Sequence, residues 1–209
     1  MTIAVMQVFP TFALYNDRNE NIVKHYIDTD EQQLAEQLRC GNAAAMRVFY
    51  DRYGGLLTAV CARYITDSES LKDVMQDSMV QLLTHVSDFK YRGEGSLRAW
   101  ATKIVVTQAL RYLREEKRRE WQTIDWDVAD VPEEDDPPVN DIPPDVIQQM
   151  VRRLPTGYRT VFNLYVFEHK SHQEIAQLLG IKKDSSASQL SRAKNLLAQM
   201  IRQYTNTQQ

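Results

Sequence analysis

Five of the chain's seven prolines fall between positions 132 and 144, in the run VPEEDDPPVNDIPP. Proline cannot continue a helix, and crowded carboxylates repel one another while offering little apolar surface to bury. A single hydrophobic core cannot run through such a stretch. The chain is therefore expected to fold as two domains, about 30–119 and about 144–204, joined by an acidic flexible linker over 120–143. Its 209 residues suit two small domains. Residues 1–29 carry no sustained periodicity and read as a tail or a short extra helix.

Both domains read as helical. Leu71, Val74, Met75, Ser78, Met79, Leu82, Leu83 and Val86 recur at helical spacing, which predicts an amphipathic helix over 71–86. Leu34, Leu38, Ala45, Phe49, Tyr53, Leu56, Leu57 and Val60 suggest two helices meeting at Gly41-Asn42. From Ser96 to Arg119 there is neither Gly nor Pro, so one helix of about 23 residues, roughly 35 Å long, is expected, with Ser96 as its cap. Strand-like alternation of β-branched residues is absent. The fold class is all-α.

Charge is sorted along the chain. The formal net charge is −3, yet residues 90–119 hold nine basic and three acidic side chains, as do residues 152–209. Residues 120–151 hold ten acidic side chains and no basic one. Two basic blocks set off by an acidic spacer point to nucleic acid on both domains. No apolar run approaches the roughly 20 residues of a membrane helix, and the first fifteen residues lack the basic start of a signal peptide. Membrane insertion is not expected, and a cytoplasmic location is. Cys40 and Cys61, without a CxxC pairing or a nearby His, read as two reduced core cysteines.

In the predicted long helix, Trp100, Lys103, Thr107, Arg111, Arg114 and Arg118 fall within about 80° of one another at 100° per residue. A file of cations headed by an indole suits a phosphate backbone with a base to stack. A solvated basic face with Trp100 in the core is the competing reading. Upstream, Phe89-Lys90-Tyr91-Arg92-Gly93-Glu94-Gly95-Ser96 is a glycine-relaxed loop able to hold an unstacked base. It lacks the GK[ST] ending and the preceding strand of a phosphate-binding loop. On helix 71–86, Asp73, Gln76, Asp77 and Val80 share the outer side, where a valine among polar residues suggests a protein partner.

The second domain carries a capping box at Ser171-His172-Gln173-Glu174, a turn at Gly180, and a second helix from about Asp184 with Leu190, Ala193 and Leu197 facing inward. This is helix-turn-helix spacing. The outer side of the second helix offers Ser185, Ser188, Gln189 and Arg192, short or bidentate groups suited to base edges, with Lys182 and Lys183 placed for phosphates. An ordinary helical hairpin is the competing reading. Asp135 and Asp136 sit in a proline-rich segment too loose for catalysis. No nucleophile, metal-ligand cluster or phosphate loop is visible, so neither enzyme activity, a cofactor nor a small-molecule substrate is expected.

Taken together, DVMQD at 73–77, RGEGSLRAWATKI at 92–104, ALRYLREEKRR at 109–119, LPTGYRTVFNLYVFEHKSHQEIAQLLGI at 154–181 and SQLSRAKNLL at 188–197 resemble an RNA polymerase sigma factor of the sigma-70 family, extracytoplasmic-function group. The resemblance implies a region 2 helix bundle over 30–119 and a region 4 helix-turn-helix over 144–204. It implies that Asp73, Gln76, Asp77 and Val80 dock on the clamp helices of the polymerase largest subunit, with a further contact to the flap. Tyr91, Arg92, Trp100, Lys103, Thr107, Arg111, Arg114 and Arg118 would meet the −10 element of promoter DNA. Arg159, His172, Gln173, Lys183, Ser185, Ser188, Gln189, Ser191 and Arg192 would meet the −35 element. An anti-sigma factor is the further partner implied. Thr107, Arg111, Lys182, Ser186 and Gln189 depart from the family's usual residues, so promoter preference does not carry over. The alternative is a stand-alone helix-turn-helix repressor or activator.

Overall fold

The structure, a computed structural model, describes residues 30–120 and 142–208, with side chains described at 30–116 and 142–207. The expectations for residues 1–29, for most of the linker and for the side chain of Arg118 lie outside the described residues. Among the described residues every regular element is helical. The chain divides between Arg119 and Glu120 into two compact units.

The first unit runs α1 (Glu31–Arg39), α2 (Ala43–Ala62), α3 (Ser68–His85), a 3-10 turn (Val86–Asp88) and α4 (Ser96–Glu120). Gly41, at φ 70°, ends α1: its N–H donates to the Leu38 carbonyl and the Asn42 N–H to that of Gln37. Left-handed backbone here costs glycine nothing sterically. Asn42 then caps α2 by accepting from the Ala44 and Ala45 N–H groups at 2.9 and 3.4 Å. One Gly-Asn pair thus closes one helix and opens the next. The core gathers Leu34, Leu38, Phe49, Leu57, Val60, Val74, Leu82, Val86, Leu97, Val105 and Ala109, all buried. Each fully buried Leu stabilises by about 1.5–3 kcal/mol relative to exposure. Ser78 is also fully buried; its hydroxyl donates back to the Val74 carbonyl at 2.6 Å. The Tyr112 hydroxyl donates to Ser70 Oγ at 2.8 Å, and Ser70 Oγ donates to the α3 cap Asp67 at 2.7 Å, pinning α4 to the start of α3.

Two expectations change here. Leu83 is exposed rather than on the apolar face, because the buried line of α3 is the narrower Val74–Ser78–Leu82 row. Cys40 is exposed, since it is the residue on which α1 ends, whereas Cys61 is buried and burial pushes its thiol up to about 12.

The second unit runs α5 (Pro144–Arg153), α6 (Thr156–Val166), α7 (His172–Leu179) and α8 (Lys183–Gln208), with α8 packed against the other three. Pro144 opens α5 at the position where its missing N–H costs nothing, and Leu154, forced extended ahead of Pro155, separates α5 from α6. Ile147, Met150, Tyr158, Val161, Phe162, Ile175, Leu190, Ala193, Leu197 and Ile201 form its core.

Candidate nucleic-acid interface

Burial of one side of α4 determines what the other side presents. Leu97, Ala101, Val105 and Ala109 are fully buried, which leaves Lys103, Thr107, Arg111 and Arg114 exposed on the opposite side. The stripe predicted from spacing is therefore brought together as far as Arg114. Its members are not equivalent. Arg111 Nε donates to Glu115 at 2.9 Å across an exposed pair, and the Thr107 hydroxyl turns back to the Lys103 carbonyl at 2.7 Å. Trp100 is half-buried, its ring tilted 45° against Phe89 at 5.2 Å. It is both a packing residue and an accessible one.

The loop ahead of α4 divides likewise. Phe89 is buried, so of the two loop aromatics only Tyr91 is accessible, half-buried beside exposed Arg92. Partial desolvation, with Asp30, Glu31 and Glu94 nearby, raises the Tyr91 hydroxyl above its ordinary value. Gly93 and Gly95 hold φ of 113° and 82°. Ser96 is not the helix cap: its Oγ accepts the Arg92 N–H at 3.2 Å. The cap comes from Glu31 on α1, whose carboxylate accepts the Gly95 N–H at 2.8 Å and the Leu97 N–H at 2.6 Å. Glu31, Arg52, Tyr53, Leu56, Glu94, Gly95 and Arg98 line a groove of about 460 Å³ beside this cap. Burial pushes the Tyr53 hydroxyl up to about 12, so it stays a donor toward Glu31, at 3.4 Å.

On α3, Asp73, Gln76, Asp77 and Val80 all face solvent, with Val80 54% exposed. Leu83, one turn on and 43% exposed, extends that face; its spacing of three from Val80 was the available signal. A cleft of about 70 Å³ lined by Asp73, Asp77, Gln108, Arg111 and Glu115 joins the acidic side of α3 to the stripe of α4.

In the second unit the capping box forms. Ser171 Oγ accepts the Glu174 N–H at 3.3 Å and Glu174 accepts the Ser171 N–H at 2.9 Å. The Ser171 N–H, the Ser171 hydroxyl at 2.8 Å and Lys170 Nζ at 3.2 Å all donate to the Glu174 carboxylate and hold it down at about 2. Gly180, at φ 65°, makes the turn, and α8 begins at Lys183, one residue before the expected start. Gln173, Lys183, Ser188 and Ser191 are exposed, while Ser185 and Arg192 are half-buried on the flank of the same face.

Three of the expected residues are used differently. Arg159 is 5% exposed: its Nη1 donates to the Leu154 carbonyl at 2.8 Å and the Arg152 carbonyl at 3.1 Å, closing the end of α5. Its guanidinium is engaged by backbone within the unit rather than presented on the outer side of α7 and α8. Gln189 lies back over α6, where its Oε1 comes within 3.1 Å of the place a Cβ on Gly157 would take. His172 is half-buried, stacked on Tyr165 at 5.0 Å, and its Nδ1 shares a hydrogen bond with Ser186 Oγ at 3.0 Å. Ser186 is fully buried, so the serine found in place of the usual apolar residue has a partner. No group of His, Cys, Asp and Glu suited to a metal occurs among the described residues, and none of their helices is long and apolar enough to cross a membrane.

Residues 49–119 match the Sigma-70 region 2 family and residues 145–197 match Sigma-70, region 4, together more than half of the chain. The chain is similar to the ECF RNA polymerase sigma-E factor of Haemophilus influenzae, 24% identical over 82% of this chain and 95% of that protein. It is similar to the RNA polymerase sigma-H factor of Pseudomonas aeruginosa, 22% identical over 80% and 91% of the two chains. RNA polymerase sigma factor SigV of Bacillus subtilis is 26% identical over 64% and 77%. Two solved structures are also similar. CnrH in complex with the cytosolic domain of CnrY is 22% identical, with a TM-score of 0.42 over 80% of this chain and 94% of that one. The sigma factor RpoE with the anti-sigma factor NepR from Bartonella quintana is 18% identical, with a TM-score of 0.43 over 74% and 96%.

Proposed function

This chain belongs to the sigma-70 family, in its extracytoplasmic-function group, and from that premise we propose how its residues divide the work of initiation. The protein is a transcription initiation factor that binds core RNA polymerase and directs promoter recognition. In the proposal the α3 face of Asp73, Gln76, Asp77 and Val80, with Leu83 added, docks on the clamp helices of the polymerase. Loop 91–96 and the α4 stripe bind the −10 element. The outer side of α7 and α8, through Gln173, Lys183, Ser188, Ser191 and Arg192, reads the −35 element. Arg159, His172 and Gln189 support that surface from behind. Catalysis belongs to the polymerase; this chain supplies recognition, in the cytoplasm, and an anti-sigma factor competes for it. A regulator acting alone would have no use for the α3 face.

The observation that carries the −10 assignment is the exposed cation stripe of α4 directly opposite four fully buried side chains. Each phosphate a cation neutralises contributes about −0.9 to the slope of log K against log salt. Replacing Arg114 and Arg118 together with Ala is expected to lessen the salt slope of holoenzyme–promoter binding by up to ~2. An unchanged slope removes the stripe from the DNA interface.

A further inference from the structure

Glu31 is a carboxylic acid buried to 4% exposure, and neither polymerase docking nor direct DNA contact uses it. It opens α1, yet its carboxylate closes the start of α4, 64 and 66 residues further on, by accepting the Gly95 and Leu97 N–H groups. A helix start leaves N–H groups without intrahelical partners, and a negative charge there gains from both hydrogen bonding and the helix dipole. The preceding residue normally supplies that oxygen. Gly95 has no side chain, and the Ser96 hydroxyl is already bonded to Arg92. Substituting a capping residue for Gly95 would meet its φ of 82°, which L side chains rarely adopt.

The loop that needs this outside anchor presents Tyr91 and Arg92. Glycines at 93 and 95 let its backbone turn, and the same freedom would leave it in many conformations if unrestrained. Two short bonds to a carboxylate fixed in the core of another helix select one of them. We propose that Glu31 is a positioning residue for −10 recognition: without touching DNA, it holds loop 91–96 in the conformation that receives the promoter strand. Binding then avoids the cost of ordering the loop. The proposal rests on reading this loop as part of the −10 site. It gives α1 a part in promoter opening as well as in packing.

The test uses full-length protein assembled with core RNA polymerase. The probe is fork-junction DNA with a single-stranded −10 segment, built on a promoter selected from a random library by the unmodified holoenzyme. Glu31→Gln retains one acceptor oxygen and sets an amide NH₂ against the second N–H donor. It is expected to weaken fork-junction binding about tenfold, the scale of one charge-assisted hydrogen bond. Affinity for core polymerase and for an upstream duplex carrying only the −35 element should stay unchanged. Tyr91→Ala with Arg92→Ala should weaken the same fork-junction binding, and adding Glu31→Gln to that pair should cost less than it costs alone. Full additivity overturns the positioning role, as does a parallel loss of core affinity and −10 binding in Glu31→Gln. If the Tyr91/Arg92 variant weakens binding and Glu31→Gln does not, the −10 reading stands and the proposal falls. If neither does, the −10 reading itself is wrong.

Discussion

Arg159 carries a formal charge into the second unit's core and spends it on backbone carbonyls rather than on a ligand. Burial lowers its tendency to hold a proton, with Arg152 adding to the effect, yet a guanidinium stays charged in this setting. Its Nη1 alone donates to both the Leu154 and the Arg152 carbonyls, using the two N–H groups that one guanidinium nitrogen carries. Arg159→Ala removes both bonds and empties a buried site, so chemical denaturation should show a loss of about 2–4 kcal/mol. Folded Arg159→Ala should keep the −35 preference of the parent. A changed preference at unchanged stability would return Arg159 to the DNA interface. The family resemblance had placed this arginine at the −35 element; the carbonyls that engage it lie five and seven residues back, across the turn between α5 and α6.

Among the helices, those with local punctuation were legible in advance. Ser171 and Glu174, Gly180, and the Gly41-Asn42 pair all act through bonds to near neighbours, and each sits where its spacing predicts. The ends built by distant partners were not legible. Ser96 looked like a cap from its own sequence, but the oxygen that serves α4 comes from α1. The capping box of α7 also gives a pH test. Glu174 has an ordinary value of 4.5 and is held at about 2 in the folded chain. A depressed carboxyl contributes stability that is fully present above its unfolded value and is lost as pH falls through the folded one. The difference in melting temperature between the parent and Glu174→Gln should therefore be constant above about pH 5 and shrink toward zero near pH 2. A difference that persists unchanged at the acid end would mean the carboxylate is not what the box depends on.

At the scale of the whole chain, a net charge of −3 conceals a division of labour. Basic residues concentrate in 90–119 and 152–209, the blocks that hold α4 and the helix-turn-helix, while α3 turns carboxylates outward. Charge order, helical periodicity and proline placement were enough to read two helical units and the exposed side of α3. What they could not supply is which polar groups the fold itself consumes: Arg159, Gln189, His172 and Glu31 are all occupied by contacts between helices. The central claim is that this division serves one assembly, with α3 on the polymerase and the basic faces on the promoter. In vitro transcription with purified core polymerase tests it most directly, comparing the parent protein with an Asp73→Lys/Asp77→Lys variant of unchanged helical content. The account predicts initiation that requires the protein and falls about tenfold or more on reversing a docking charge pair. Initiation that proceeds without the protein, or is untouched by the reversal, would contradict it.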